Sequence, residues 1–102
     1  MTSKDTKKGH VEIHYCTQCK WLLRAAWMAQ ELLGTFEEEI GTLALKPGTG
    51  GVFEVSANGK QLWNRKEKGR FPEITELKRL IRDEVAPGRH LGHVDRKEEN
   101  SN

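Results

Sequence analysis

The chain has 102 residues, of which 31% are charged and 35% apolar, and its formal net charge is +2. That length buries one modest core and not two, and the near-neutral balance gives a nucleic-acid partner no compositional support. No apolar run approaches the ~20 residues that a membrane-spanning helix needs, so no membrane role is expected.

Residues 1–10 are polar and lysine-rich and lack the apolar middle of a secretory signal, so they read as a disordered leader. A cytoplasmic protein is expected. In that reducing compartment a closely spaced cysteine pair is more often catalytic or metal-binding than a permanent staple.

Val11-Glu12-Ile13-His14-Tyr15 alternates with the period of a strand and puts Val11, Ile13 and Tyr15 on one face. Cys16-Thr17-Gln18-Cys19 follows at once. From Lys20 to Leu33 the residues are mostly strong helix formers, and Gly34 stands where a C-cap is expected. The cysteines thus fall at a strand-to-helix junction, where free backbone N–H groups and the helix dipole stabilise a thiolate. With two residues between them, one turn brings both sulfurs within bonding range: one attacks a partner and the other resolves the mixed disulfide. Lys20 and Arg24 add positive field and are assigned to thiolate support.

Lys20, Arg24, Trp27 and Glu31 share a wet stripe of this helix, and Leu22, Ala25, Ala26, Ala29 and Leu33 form the stripe assigned to the core. Neighbouring loops covering Trp27 is the default reading. The alternative is that Trp27 and Leu23 form an exposed docking surface for a protein partner.

Glu37-Glu38-Glu39 marks a solvated connection to a second strand at Ile40 to Lys46, which makes a parallel βαβ unit. Pro47-Gly48-Thr49-Gly50-Gly51 is a glycine-rich loop, but no Gly-Lys-Ser/Thr follows and the next element is a strand, so it is not a phosphate loop. Its glycines permit positive φ or close backbone approach.

Asn58-Gly59 between Val52–Ala57 and Lys60–Arg65 signals a two-residue hairpin turn. Unbroken register pairs Ala57 with Lys60, Val55 with Leu62, Glu54 with Trp63 and Phe53 with Asn64. Phe53, Val55 and Leu62 then face the core, and Trp63 joins Glu54, Ser56 and Gln61 on an uncovered, polar sheet face. Arg65, Lys66, Lys68 and Arg70 lie within six residues and read as a basic loop able to attract carboxylates. Pro72 is placed at the first position of a final amphipathic helix carrying Ile74, Leu77, Ile81 and Val85, and Pro87-Gly88 stops it. Residues 11–86 are therefore the folded domain, and residues 87–102 a flexible polar tail.

The order β-α-β-β-β-α with Cys-x-x-Cys after the first strand predicts an α/β protein of small thioredoxin-like fold, a four-stranded mixed sheet with two helices mainly on one face. In more detail, Tyr15-Cys16-Thr17-Gln18-Cys19, Gly50-Gly51-Val52-Phe53-Glu54-Val55, Asn58-Gly59-Lys60, Trp63-Asn64-Arg65-Lys66 and Gly69-Arg70-Phe71-Pro72 together resemble the selenoprotein W-like (Rdx) family. Many bacterial members have cysteine at both motif positions, as here.

The resemblance implies a thiol oxidoreductase or redox-adaptor role in cell redox homeostasis, with Cys16 and Cys19 as the redox disulfide pair. No bound cofactor is implied, and glutathione is the suggested reductant. Selenium at the second position of many relatives points to Cys19 as the attacking sulfur, whereas thioredoxin logic assigns attack to Cys16, the assignment taken here. Gly50-Gly51 stands where thioredoxins carry a cis-proline facing the site. Gly50, Gly51, Trp27, Arg65 and Lys66 are the candidate substrate or partner contacts. Protein or glutathione thiols are the expected partners of a monomer or weak dimer.

Two other functions fit the same residues. A zinc module would use Cys16, Cys19 and two of His10, His14, His90 and His93, but no second Cys-x-x-Cys exists and surface histidines are the simpler reading, so no metal is assigned. A redox-switched interaction module without turnover would use Trp27, Trp63 or the basic loop as contact surface. A hydrolase lacks support, because Glu37 to Glu39 are consecutive and no nucleophile elbow is present.

Overall fold

The structure, a computed structural model, describes residues 8–92. Most of the expected leader and tail, His93 among them, lies outside those residues. Strand β1 (Gly9–Cys16) is followed by α1 (Leu22–Thr35), β2 (Ile40–Gly48), β3 (Phe53–Ala57), β4 (Lys60–Asn64), α2 (Arg65–Lys68) and α3 (Ile74–Val85). The sheet is mixed, in the order β2-β1-β3-β4, with β1 parallel to β2 and antiparallel to β3.

Strand alternation decides which face is buried. Val11, Ile13, Tyr15, Phe53, Val55 and Ala57 point into the core with Leu77 and Ile81 of α3, while Glu12, His14, Glu54 and Ser56 lie on the opposite, partly exposed face. One sheet face is thus open, as expected.

In α1 the core stripe is Ala25, Met28, Ala29 and Leu32, a spacing of three, one and three that follows the helical period. The sequence assignment of Leu22 and Leu33 to that stripe is corrected: they are 50% and 43% exposed. Leu22 sits at the first helical residue, and Leu33 is rotated by about 100° from the buried Leu32. Gly34 is not the C-cap either; it lies inside the last turn, and the buried Phe36 ends the helix by donating its N–H to the Leu32 carbonyl at 2.9 Å.

The hairpin keeps the Asn58-Gly59 turn but not the unbroken register. Ala57 pairs with Lys60 and Ser56 with Gln61, after which one extra residue on β4 lets Val55 pair with Trp63 and Glu54 with Asn64. This bulge moves Trp63 from the predicted wet face into the core, where it is 3% exposed and its indole N–H donates to the Arg70 carbonyl at 3.0 Å. Leu62, placed in the core by the regular register, is partly exposed and packs against the core without entering it.

The basic stretch is a third, one-turn helix and not a loop. The Asn64 side chain caps α2 by accepting from the Lys66 and Glu67 N–H groups, and Gly69 closes it in the left-handed conformation. Helix α3 starts after Pro72, not at it: Glu73 is the N-cap, in a reciprocal capping box with Glu76. Within the expected tail, Arg89 pairs with Glu39 at 2.9 Å and Leu91 packs against the core.

Candidate active site

Cys16 is the last residue of β1, and the chain turns through residues 17–20 before α1 begins at Leu22. The expected helix start at Lys20 is displaced because Lys20 takes φ +63, with its N–H donating to the Thr17 carbonyl at 3.0 Å. The sulfurs are therefore carried on a turn ahead of the helix. The amides that stabilise negative charge are those of this turn and of the glycine loop.

The Cys19 N–H points at Cys16 Sγ, 3.3 Å away, and the Gln18 and Gly51 N–H groups face the same sulfur. The Cys19 thiol donates its proton toward Cys16. That bond is the main reason why Cys16 ionises below the ordinary thiol range; burial opposes it, and the Gly51, Cys19 and Gln18 amides reinforce it. The same bond raises Cys19, together with burial and the charge on Cys16, against the Gly51 N–H and the Arg65 guanidinium. Both cysteines are free thiols. Accessibility divides them the other way, for Cys16 is 0% exposed and Cys19 is partly exposed.

Thr17 fastens the turn to the end of β2, donating both its N–H and its hydroxyl to the Gly48 carbonyl at 3.0 and 3.1 Å. The Gly50 N–H reaches Gln18 Oε1 at 3.5 Å. Gly50 and Gly51 hold φ of +74 and +78, and a Cβ at either would meet nothing within 4 Å, so glycine is needed for the backbone conformation and not for room.

An aromatic cluster supports the turn, with Trp21 and Phe71 rings 4.9 Å apart and Phe53 and Phe71 5.1 Å apart, both edge to face. The Arg65 guanidinium lies over Trp21 at 4.8 Å and Phe71 at 5.1 Å, and its Nε is buried with no hydrogen-bond partner. Arg65, nominated as a substrate contact, is thus the cation that acts on Cys19. Arg24, nominated for thiolate support, rests over Phe71 at 4.0 Å, and Lys20 is exposed. Lys66 is exposed in α2, and Trp27 is 48% exposed, so among the described residues no loop gives it the expected cover. Sequence reasoning overlooked Trp21, Phe71 and Gln18 as site residues. Phe71 was visible only as part of the Gly69-Arg70-Phe71-Pro72 motif.

The described histidines, His10, His14 and His90, each have a different partner. The His10 ring bonds the Thr42 hydroxyl at 2.6 Å, His14 lies 3.7 Å from Glu54 on the open face, and His90 accepts from the Gly92 N–H at 2.9 Å. Among the described residues no group of three or more His, Cys, Asp or Glu is gathered so as to hold a metal ion. No helix among them is long and apolar enough to cross a membrane.

A four-stranded mixed sheet with a Cys-x-x-Cys turn leaving its first strand defines a thioredoxin-like α/β domain. Residues 10–83 match the Rdx family, and the chain belongs to that family as a bacterial, selenoprotein W-like member. The crystal structure of a selenoprotein W-related protein from Vibrio cholerae is 55% identical with a TM-score of 0.75, covering 76% of this chain and 98% of that one. A Bordetella parapertussis protein of solved structure is 56% identical with a TM-score of 0.74, covering 76% of this chain and 99% of that one. No curated protein matches the chain.

Proposed function

We propose that this protein is a thiol–disulfide oxidoreductase of the selenoprotein W-like type, exchanging electrons with protein thiols or glutathione through Cys16 and Cys19. The observation that carries this reading is the pair itself: two free thiols on one turn, with the Cys19 N–H 3.3 Å from Cys16 Sγ and the Gln18 and Gly51 N–H groups beside it. Such a pair holds a thiolate without a metal or organic cofactor.

Because Cys16 is buried and Cys19 partly exposed, this reading gives the attack on an incoming disulfide to Cys19, in place of the Cys16 assignment made from thioredoxin logic. Transfer of the Cys19 thiol proton to the Cys16 thiolate leaves a Cys19 thiolate, which attacks one sulfur of R–S–S–R′ and expels R′–S⁻. Cys16 then gives up its proton and attacks the Cys19 sulfur. R–S⁻ leaves, and a Cys16–Cys19 disulfide forms. The protein loses two electrons, the substrate gains them, and the departing thiolates take up protons. Two glutathione molecules restore the dithiol and leave as oxidised glutathione, a cycle suited to the cytoplasm and within the reach of a single chain.

Mass-resolved alkylation across a series of glutathione redox buffers tests this. A reversible Cys16–Cys19 disulfide is expected in the wild type, with a stable glutathione adduct on Cys19 in Cys16→Ser and almost none on Cys16 in Cys19→Ser. A pair that stays reduced at every ratio would sink the oxidoreductase reading. A second reading, a redox-switched binding module without turnover, is favoured by the exposed Leu23 and Trp27 on the helix after the pair. A partner bound in one redox state only, with no catalytic turnover, distinguishes it.

A further inference from the structure

Beside the cysteine turn lies a cavity of about 570 Å³ lined by Lys20, Trp21, Leu23, Arg24 and Trp27. A second, of about 400 Å³, is lined by Tyr15, Thr17, Lys20, Leu22 and Leu23, so the two share Lys20 and Leu23 as walls. Leu23 is 81% exposed and Trp27 48%, a large apolar area to leave in water. The lining contains two cations and no acid.

We propose that this groove receives the stretch of a substrate protein next to its reactive cysteine, an extended segment carrying a bulky apolar side chain and a carboxylate. The inference rests on the oxidoreductase reading and names its substrate class. The helical part alone, from Leu22 to Trp27, is about 7.5 Å at 1.5 Å per residue, and the turn from Cys19 to Leu22 adds to that distance. An extended peptide covers that in about three residues. The apolar side chain therefore falls about three residues from the cysteine engaged at Cys19, between Leu23 and Trp27, with the carboxylate against Lys20 and Arg24. Glutathione supplies carboxylates but has no side chain to cover Leu23 and Trp27. A second copy of this chain supplies the apolar side but, in a two-fold contact, sets Lys20 and Arg24 against their own counterparts.

The test uses two synthetic peptides, each with its cysteine held as a mixed disulfide with a small thiol. One carries phenylalanine three residues from the cysteine and glutamates beside it; the other has serine and lysines at those places. The reduced wild type is expected to react about tenfold faster with the first, and the ratio to fall with salt. Leu23→Gln should shrink the ratio, and Arg24→Glu should shift it toward the lysine peptide. Binding of the same peptides with serine in place of cysteine is measured in parallel by calorimetry. Exchange at equal rates with both peptides overturns the groove and leaves the redox reading standing. Selective binding without any exchange does the reverse. Concentration-dependent dimerisation that Leu23→Gln abolishes also overturns the proposal, by assigning the groove to a second copy.

Discussion

Replacing Gly51 with alanine, beside the same change at Gly50, separates a glycine's backbone duty from its amide's chemical one. The two residues have φ of +78 and +74, and neither has an atom within 4 Å of where a Cβ would stand. The left-handed conformation costs a non-glycine residue about 1–2 kcal/mol. The lowered entropy of the unfolded chain returns about 0.4–1 kcal/mol. Each variant should therefore lose about 1 kcal/mol, read as a urea midpoint about 1 M lower for an m-value of about 1 kcal/mol/M. Only the Gly51 amide faces the sulfurs, lowering both Cys16 and Cys19. Strain relaxed at Gly51 turns that N–H away, so the thiolate's ultraviolet absorbance should appear at higher pH in Gly51→Ala and stay near the wild-type position in Gly50→Ala. Equal thiolate titrations in the two variants would refute the role given to the Gly51 amide. A stability loss at one position alone would refute the strain argument.

Trp63→Ala should cost about 3–5 kcal/mol in chemical denaturation, as for a large core residue; an effect within about 0.5 kcal/mol would restore the exposed register. Arg65→Gln should raise the Cys19 ionisation further and slow alkylation of Cys19 at neutral pH, because the Arg65 guanidinium opposes that rise; an unchanged pH profile would remove Arg65 from the site. Glu76→Ala should cost about 1 kcal/mol through loss of the capping box, or roughly 5 °C in the thermal midpoint. The Arg70 hydrogen bond is the main cause that holds Glu76 below the usual carboxylate range. Its contribution is therefore present above the unfolded carboxylate pKa and lost as the pH falls through the lowered folded value. Glu76→Gln should flatten that part of the acid limb of a stability-against-pH profile.

Local patterning was enough to read the order of the four strands and the two long helices, the Cys-x-x-Cys at the end of the first strand, the Asn58-Gly59 turn and the open sheet face, because each depends on neighbours in the chain; the one-turn helix α2 was missed. Strand alternation marks Val11, Ile13 and Tyr15, and helical spacing marks Leu77 and Ile81, whatever packs on them. The bulge in β4 could not be read in this way. A regular ladder and a bulged one differ locally by about one hydrogen bond, worth 0.5–1.5 kcal/mol. Burying an indole against the core is worth more, of order 2–3 kcal/mol, and that gain exists only once the sheet and helices are assembled. The site divides along the same line. Two cysteines at this spacing announce a dithiol, but the choice between them depends on long-range neighbours: the Gly51 amide, the Arg65 guanidinium and the cover over Cys16, brought in from the glycine loop, α2 and the core. A helix dipole is the local argument for the thiolate; the turn with Lys20 at φ +63 sets the sulfurs ahead of the helix, and the Gln18 and Cys19 amides of that turn act in its place, joined by the Gly51 amide that the tertiary fold brings in from the glycine loop.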